Sequence, residues 1–72
     1  MYKEVYKQLG LNIKKYRNVC GLTQEQLAEK IDKSLNFVGK IEVAFSHPAF
    51  ETIVDIARAL NVPLKNLFED VN

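Results

Sequence analysis

Apolar residues recur along most of the chain at the spacing of amphipathic helices. Between Lys3 and about Val19 they come at steps of three and four residues, at Val5, Tyr6, Leu9, Ile13 and Tyr16. The outer side of this first helix carries Lys7, Lys14, Lys15 and Asn18. Gly10 marks either a kink or the true start of the helix after a looser segment. Gly21 is expected to end the helix as a C-cap glycine.

The middle of the chain, residues 23–43, reads as two short helices separated by a tight turn. Thr23 is expected to cap the first helix, with Gln26 completing a capping box, and that helix runs to about Ile31. Ser34 is expected to cap the second helix, which ends near Val43. The residues expected to face inward are Leu27, Ala28, Ile31, Ser34, Val38 and Ile41.

The turn between these two helices carries Asp32. A left-handed backbone is often required at such a turn, and Asp tolerates it better than most residues. Two short helices joined in this way are typical of a helix-turn-helix, whose second helix enters the major groove of DNA.

The last third of the chain predicts two further helices. Pro48 is well placed to start a strongly apolar one, and Asn61 is a plausible C-cap for it. A last short helix, at about 63–70, begins after Val62. Its apolar residues, with Val71 just beyond, are Leu64, Leu67, Phe68 and Val71. The expectation is an all-α fold of five helices without strands.

Length and composition indicate one small globular domain over residues 1–72. A chain of this size buries only roughly 60% of its unfolded surface, so a partner subunit would help to stabilise its core. The 47% hydrophobic content and the few glycines and prolines exclude a disordered chain. No apolar run approaches the roughly 18 residues of a membrane span. The first residues lack the apolar core of a signal peptide, so a cytoplasmic location is expected.

The residue types that carry catalysis or bind metals are scarce. Cys20 is the single cysteine, which excludes an internal disulfide, and with His47 as the single histidine a structural zinc site is not expected. There are no clustered carboxylates and no glycine-rich phosphate loop, so an enzyme is the weakest interpretation. No cofactor and no small-molecule ligand is expected.

Charge is unevenly distributed along the chain, although the net charge is only +1. Residues 1–40 carry eight Lys and Arg against four Asp and Glu, whereas residues 41–72 carry two against five. A basic first half suits a domain with one anion-facing surface. Ordinary scatter of charge in a small protein is the alternative.

These residues together resemble the Cro/C1-type (XRE) helix-turn-helix family of phage repressors and bacterial regulators. The similarity covers about residues 9–68 and is carried by Leu9, Gly10, Ile13, Arg17, Gly21, Leu22, Thr23, Gln24, Leu27, Ala28, Ser34, Val38, Ile41, Glu42, Pro48, Ile53, Ile56, Ala57, Ala59, Leu60 and Val62. The resemblance implies a compact five-helix, lambda-repressor-like domain that binds double-stranded operator DNA, usually as a homodimer on a palindromic site.

Two positions depart from the family pattern. Family members usually have Gly where Ala44 stands, at the end of the recognition helix, and often have Gly in place of Asp32. Alanine in a left-handed conformation costs about 1–2 kcal/mol. The loop after the recognition helix is therefore expected to bend differently here.

Projecting residues 34–43 at about 100° per residue places Asn36 and Lys40 at the outward centre of the recognition helix, with Leu35 and Phe37 on its borders. Asn pairs with adenine, Lys reaches guanine or a phosphate, and Leu35 could contact a thymine methyl. The resemblance implies the base-reading positions Leu35, Asn36, Gly39 and Lys40. A merely solvated helix face is the alternative.

Further contacts with DNA are expected around this helix. Gln24 is predicted to bind both a phosphate and a recognition-helix residue, as the matching family position does. Gly39 either lets the backbone approach DNA closely or contacts nothing useful. The full set of candidate DNA-binding residues is Gln24, Lys33, Ser34, Leu35, Asn36, Phe37, Gly39, Lys40, Ser46 and His47; of these, Phe37 is expected to be half-buried rather than to read bases.

The resemblance also implies a structural ion pair, in which Arg17 on the first helix binds Glu42 at the end of the recognition helix. Some of the apolar C-terminal residues are expected to belong to the core, and the remainder to form a two-fold dimer interface. Its candidates are Leu64, Leu67, Phe68 and Val71, with Phe50 or Val54 as possible additions. Such a dimer would set two recognition helices about 34 Å apart.

The leading hypothesis is a repressor-like, sequence-specific regulator that inserts helix 34–43 into the major groove of a palindromic operator as a homodimer. A second hypothesis is a protein-interaction module of the same fold, such as an antitoxin or a regulator-binding protein. The weak net charge and the apolar Val43 and Phe45 near the groove face leave the second hypothesis open.

Overall fold

Four α-helices and one 3₁₀ helix form the described part of the chain, residues 2–72 of a computed structural model. The helices are α1 (Lys3–Val19), α2 (Gln24–Lys30), α3 (Leu35–Glu42) and α4 (Phe50–Leu60), followed by the 3₁₀ helix Leu64–Phe68. The all-α class is confirmed, and residues 2–72 contain no strand. The count of five is reached only with the 3₁₀ helix, because this segment of five residues tightens into the geometry that short helical pieces commonly adopt.

The core is built from the apolar faces of all five helices. Its buried members are Leu9, Ile13, Leu27, Ala28, Ile31, Val38, Ile41, Ile53, Ile56, Ala57, Leu60 and Leu67. Ser34, which the helix pattern predicts to face inward, is exposed instead. It lies just before α3, where its hydroxyl oxygen accepts a hydrogen bond from the Phe37 N–H at 3.0 Å. Its role as a cap therefore outweighs its place in the helical period.

The start of α2 has the capping box that the sequence predicts. The Thr23 hydroxyl oxygen accepts a hydrogen bond from the Gln26 N–H at 3.0 Å, and the Gln26 side-chain oxygen accepts one from the Thr23 N–H at 2.8 Å. These two bonds satisfy backbone donors that a helix N-terminus leaves without partners.

Gly10 lies inside α1, which runs through it from Lys3 to Val19, so the glycine is not the start of the helix. An ideal Cβ at this position would lie 2.6 Å from the carbonyl oxygen of Ile41 and 2.7 Å from that of Glu42. Side chains do not approach backbone atoms so closely. Glycine is therefore required here because the backbone of α1 packs directly on the end of α3.

Each α-helix is followed by a residue with positive φ. These residues are Gly21 (71°), Asp32 (58°), Ala44 (62°) and Asn61 (56°). After α3, the Ala44 N–H donates to the carbonyl of Ile41 at 3.0 Å and the Phe45 N–H donates to that of Lys40 at 2.8 Å. The expectation that the loop bends differently at Ala44 is wrong, because these two bonds satisfy the last carbonyls of the helix and offset the strain.

Polar contacts attach the C-terminal segment to α1. The buried Asn12 side chain donates to the carbonyl oxygens of Leu67 at 2.9 Å and Glu69 at 2.8 Å. The Tyr16 hydroxyl donates to the Glu69 carboxylate at 2.7 Å. This hydrogen bond lowers the pKa of the Glu69 carboxyl and raises the pKa of the Tyr16 hydroxyl.

Replacing Ala44 with glycine should stabilise the fold, because glycine adopts positive φ without the steric strain of alanine. The gain is about 1 kcal/mol after the added flexibility of the unfolded chain is subtracted, which raises the Tm by roughly 4–8 °C. Thermal and urea unfolding followed by circular dichroism measure it. The matched control is Ala59→Gly inside α4, which should lose about 1 kcal/mol. An Ala44→Gly midpoint at or below that of the parent chain would contradict the strain.

Candidate nucleic-acid interface

The outer face of α3 presents an amide, an ammonium and an apolar side chain side by side. Asn36 and Lys40 are exposed, and Leu35 keeps 47% of its surface accessible. On the opposite side, Val38 and Ile41 are buried in the core. The helix thus has one face that holds it to the protein and one that is free to contact a partner.

Lysines lie at both ends of α3 against aromatic rings. The Lys33 ammonium lies 5.4 Å from the centroid of the half-buried Phe37 ring, and the Lys40 ammonium lies 5.9 Å from that of Phe45. A cation over an aromatic face is attracted to it. Phe37 packs against the core as expected, and its ring also lies beside the Lys33 ammonium.

Gly39 lies between the two outward side chains of α3 and next to α2. An ideal Cβ built on it would meet only the side-chain oxygen of Gln24, at 3.7 Å, which is an ordinary contact distance. The fold does not require a glycine at this position, in contrast to Gly10. A glycine inside a helix costs about 1 kcal/mol relative to alanine, and no packing contact within the chain offsets that cost.

Gln24 is the first residue of α2 and reaches the recognition helix. Its side-chain amide donates to the Glu42 carboxylate at 2.9 Å, and it is half-buried. One of the two contacts predicted for it, that with α3, is thus present in the structure. The phosphate contact stays a prediction.

Arg17 and Glu42 form a buried, two-pronged ion pair. The Arg17 Nε donates to one carboxylate oxygen at 2.6 Å and Nη2 donates to the other at 3.1 Å, with side chains 9% and 1% exposed. Arg17 Nη1 also donates to the carbonyl of Leu22 at 2.7 Å. Every buried side-chain polar atom among residues 2–72 has a hydrogen-bond partner. The pair therefore fixes the end of α3 to α1 and to the turn before α2.

The predicted flanking residues lie beyond both ends of α3 rather than in one cluster. Lys33 and Ser34 precede the helix, whereas Ser46 and His47 follow it. The His47 ring stacks on Tyr6 of α1, with centroids 3.7 Å apart and planes 3° from parallel. Its position thus depends on α1 as well as on the loop.

A groove of about 310 Å³ that the sequence pattern does not predict borders this surface. It is lined by Lys7, Leu11, Lys14, Gln24, Glu42 and Val43. Lys7 and Lys14 are exposed on the outer side of α1, as its helical period predicts. Their spacing of seven residues puts both on one helix face. This spacing is the sequence signal that could have predicted that they line the same groove.

The predicted dimer residues divide between core and surface. Leu67 is 0% exposed and belongs to the core, so it is not available to a partner subunit and its assignment to the interface is wrong. Leu64, Phe68 and Val71 are half-buried, and Phe50 at the start of α4 is 60% exposed. The short 3₁₀ helix directs the Leu67 side chain into the core and leaves Leu64 and Phe68 half-buried.

Comparison with known proteins identifies the family of this fold. A helix-turn-helix family model matches residues 13–67, well over half of the chain. The chain belongs to the Cro/C1-type helix-turn-helix family. Members of this family are DNA-binding transcriptional regulators and not enzymes. Among residues 2–72, no helix is long and apolar enough to cross a membrane.

Two individual proteins agree with the family match of this Cro/C1-type regulator, and a third shares its fold. Control protein C.SmaI from Serratia marcescens is 30% identical over 66 residues, covering 92% of this chain and 79% of that protein. The restriction-modification controller protein C.AhdI from Aeromonas hydrophila superposes with a TM-score of 0.89 at 25% identity, over 93% of this chain and 97% of that one. The clp gene regulator ClgR from C. glutamicum, at 21% identity, shares the fold with a TM-score of 0.84 over 88% and 82% of the two chains.

Replacing Arg17 with alanine should destabilise the fold by about 3–5 kcal/mol, because Glu42 is then buried without its counter-charge. Urea unfolding measures the loss. Lys15→Ala is the matched control, since Lys15 forms an exposed 3.5 Å pair with Glu69 whose loss should cost less than about 1 kcal/mol. An unchanged melting temperature for Arg17→Ala would show that the ion pair does not hold the fold together.

Proposed function

We propose that this regulator binds a palindromic operator as a homodimer, repressor-like, with residues 34–43 in the major groove. The observation that carries the proposal is the two-sided character of α3. Asn36 and Lys40 face outward, while Val38 and Ile41 anchor the helix in the core and Glu42 fixes its end. A helix held in this way presents its side chains in one defined orientation, as base readout requires.

The roles of the outward residues follow from their chemistry. Asn36 pairs with adenine through its amide, Lys40 donates to guanine or to a phosphate, and Leu35 contacts a thymine methyl. Gln24 and Lys33 lie at the two flanks of the reading face. They contact the phosphate backbone of DNA and so set the register of the protein on the duplex. Gly39 lies between the outward residues Asn36 and Lys40, and its missing side chain allows the α3 backbone to approach the bases.

The pairing of two subunits is proposed through the exposed part of α4 and the C-terminal segment. Phe50 is 60% exposed, and Val54, Phe68 and Val71 are half-buried. The described chain measures 31 × 23 × 20 Å. Two bodies of this size related by a two-fold axis can hold their recognition helices about 34 Å apart, one turn of DNA.

The names of two relatives indicate which genes such a regulator controls. C.SmaI is a control protein and C.AhdI is a restriction-modification controller. Restriction–modification genes are therefore the targets that we propose first. Selection of bound sites from random DNA would give the operator and its half-site spacing together.

A protein-interaction module is the second candidate, favoured by one observation. Val43 is 74% exposed and Phe45 is 77% exposed beside the reading face. A regulator that contacts phosphates loses DNA affinity steeply as salt rises, whereas an interaction module binds DNA weakly at every salt concentration.

Replacing Asn36 or Lys40 with alanine should weaken binding to the selected operator by about 1–3 kcal/mol, because each change removes a contact in the groove. Fluorescence anisotropy at fixed salt measures the affinity. Lys65→Ala, an exposed lysine on the C-terminal 3₁₀ helix, is the charge-matched control and should bind normally. Equal affinity of Asn36→Ala, Lys40→Ala and the parent chain would exclude α3 as the reading helix.

Replacing Phe50 with glutamate should prevent dimer formation, because it buries a charge in the proposed two-fold interface. Sedimentation or light scattering across a concentration series measures the oligomeric state. Val19→Glu is the control, since Val19 is 74% exposed at the far end of α1 and should leave the dimer intact. A strict monomer for the parent chain at high concentration would argue against the homodimer.

A further inference from the structure

The groove beside the recognition helix is lined by residues from three helices, and its two lysines make it positively charged. Lys7, Leu11 and Lys14 of α1 form one wall, and Gln24 and Val43 line it from the sides of α2 and α3. Gln24 also borders Gly39, so the groove opens next to the reading face of α3. A partner that lies along α3 would pass this groove.

The charge of the groove is unbalanced. Neither Lys7 nor Lys14 forms an ion pair within residues 2–72, where the recorded pairs are Lys15 with Glu69 and Arg17 with Glu42. Glu42, the acidic residue of the lining, is already neutralised by Arg17 at 2.6 Å. Both lysines are exposed, so two uncompensated ammonium groups remain available to an anion.

The spacing of the two lysines suits a chain of phosphates. Residues seven apart in an α-helix lie on one face about 10 Å from each other. A DNA strand carries one phosphate per roughly 3.4 Å of helix axis, and successive phosphates lie further apart than this because the strand winds around the axis. Two ammonium groups about 10 Å apart can therefore each meet a different phosphate of one strand. Between them, Leu11 is 49% exposed and offers an apolar surface to the sugars.

We propose that Lys7 and Lys14 bind the phosphate backbone of operator DNA, so that α1 follows one strand while α3 reads the adjacent major groove. The inference rests on the proposed function and extends it from α3 to α1. In this arrangement the two lysines add affinity without reading sequence, because contacts with phosphates carry no base information. The occupant of the groove is a strand of duplex DNA, and a free phosphate ion is an outcome that the test separates.

The experiment measures the salt dependence of operator binding for Lys7→Gln, Lys14→Gln and the double variant. Each lost phosphate contact should lower the slope of log affinity against log salt by about 0.9. Affinity for the operator and for a scrambled duplex should fall by the same factor, so the ratio between them stays unchanged. Glutamine keeps the helix propensity of lysine, and thermal unfolding checks that the fold is intact.

Lys15→Gln is the matched control, since it removes the same charge from the same helix but on the side that faces Glu69. A slope that is unchanged in the double variant, or that falls equally in Lys15→Gln, would overturn the inference. Binding of inorganic phosphate that depends on Lys7 and Lys14 but does not compete with operator DNA at constant ionic strength would also overturn it, in favour of a separate anion site. Failure of the parent chain to bind any duplex would instead contradict the proposed function.

Discussion

The buried ion pair between Arg17 and Glu42 is the constraint on which the position of α3 depends. Two buried charges are stable in a small protein only when they are paired and hydrogen-bonded. Here the guanidinium also binds the Leu22 carbonyl, and the carboxylate accepts from Gln24. A two-pronged contact is directional in a way that apolar packing is not. It therefore fixes the orientation of the recognition helix as well as its distance from α1.

Gly10 supports the same arrangement from the other side of the contact. Its missing side chain lets α1 rest on the carbonyls of Ile41 and Glu42. The ion pair and this close approach therefore act on the same turn of α3. Both contacts hold α1 and α3 in a defined relative position, which the proposed contact of one DNA strand with both helices requires.

Local signals in the sequence predicted most of the fold. Caps such as Thr23 and Ser34 mark helix starts, and the helical period places Asn36 outward. The features of the fold that these local signals could not predict depend mostly on contacts between residues far apart in the sequence. Gly10 packs against a helix far along the chain. Ala44 is a different case, because its hydrogen bonds are local but alanine disfavours the positive φ that it adopts here. Leu67 lies in a helix too short for a period to separate its inner from its outer face. The basic groove could not be predicted from the sequence, because it depends on how three helices are placed relative to one another.

The helix ends carry a consequence for folding kinetics. At each positive-φ residue from Gly21 to Asn61, the paired backbone bonds join residues at most five positions apart. These stop signals therefore rest on contacts that are local in the sequence, and they need no tertiary contact to define where each helix ends. Helical domains rich in local contacts fold in microseconds to milliseconds. The helix ends of this regulator are thus set by the kind of local contact that favours fast folding.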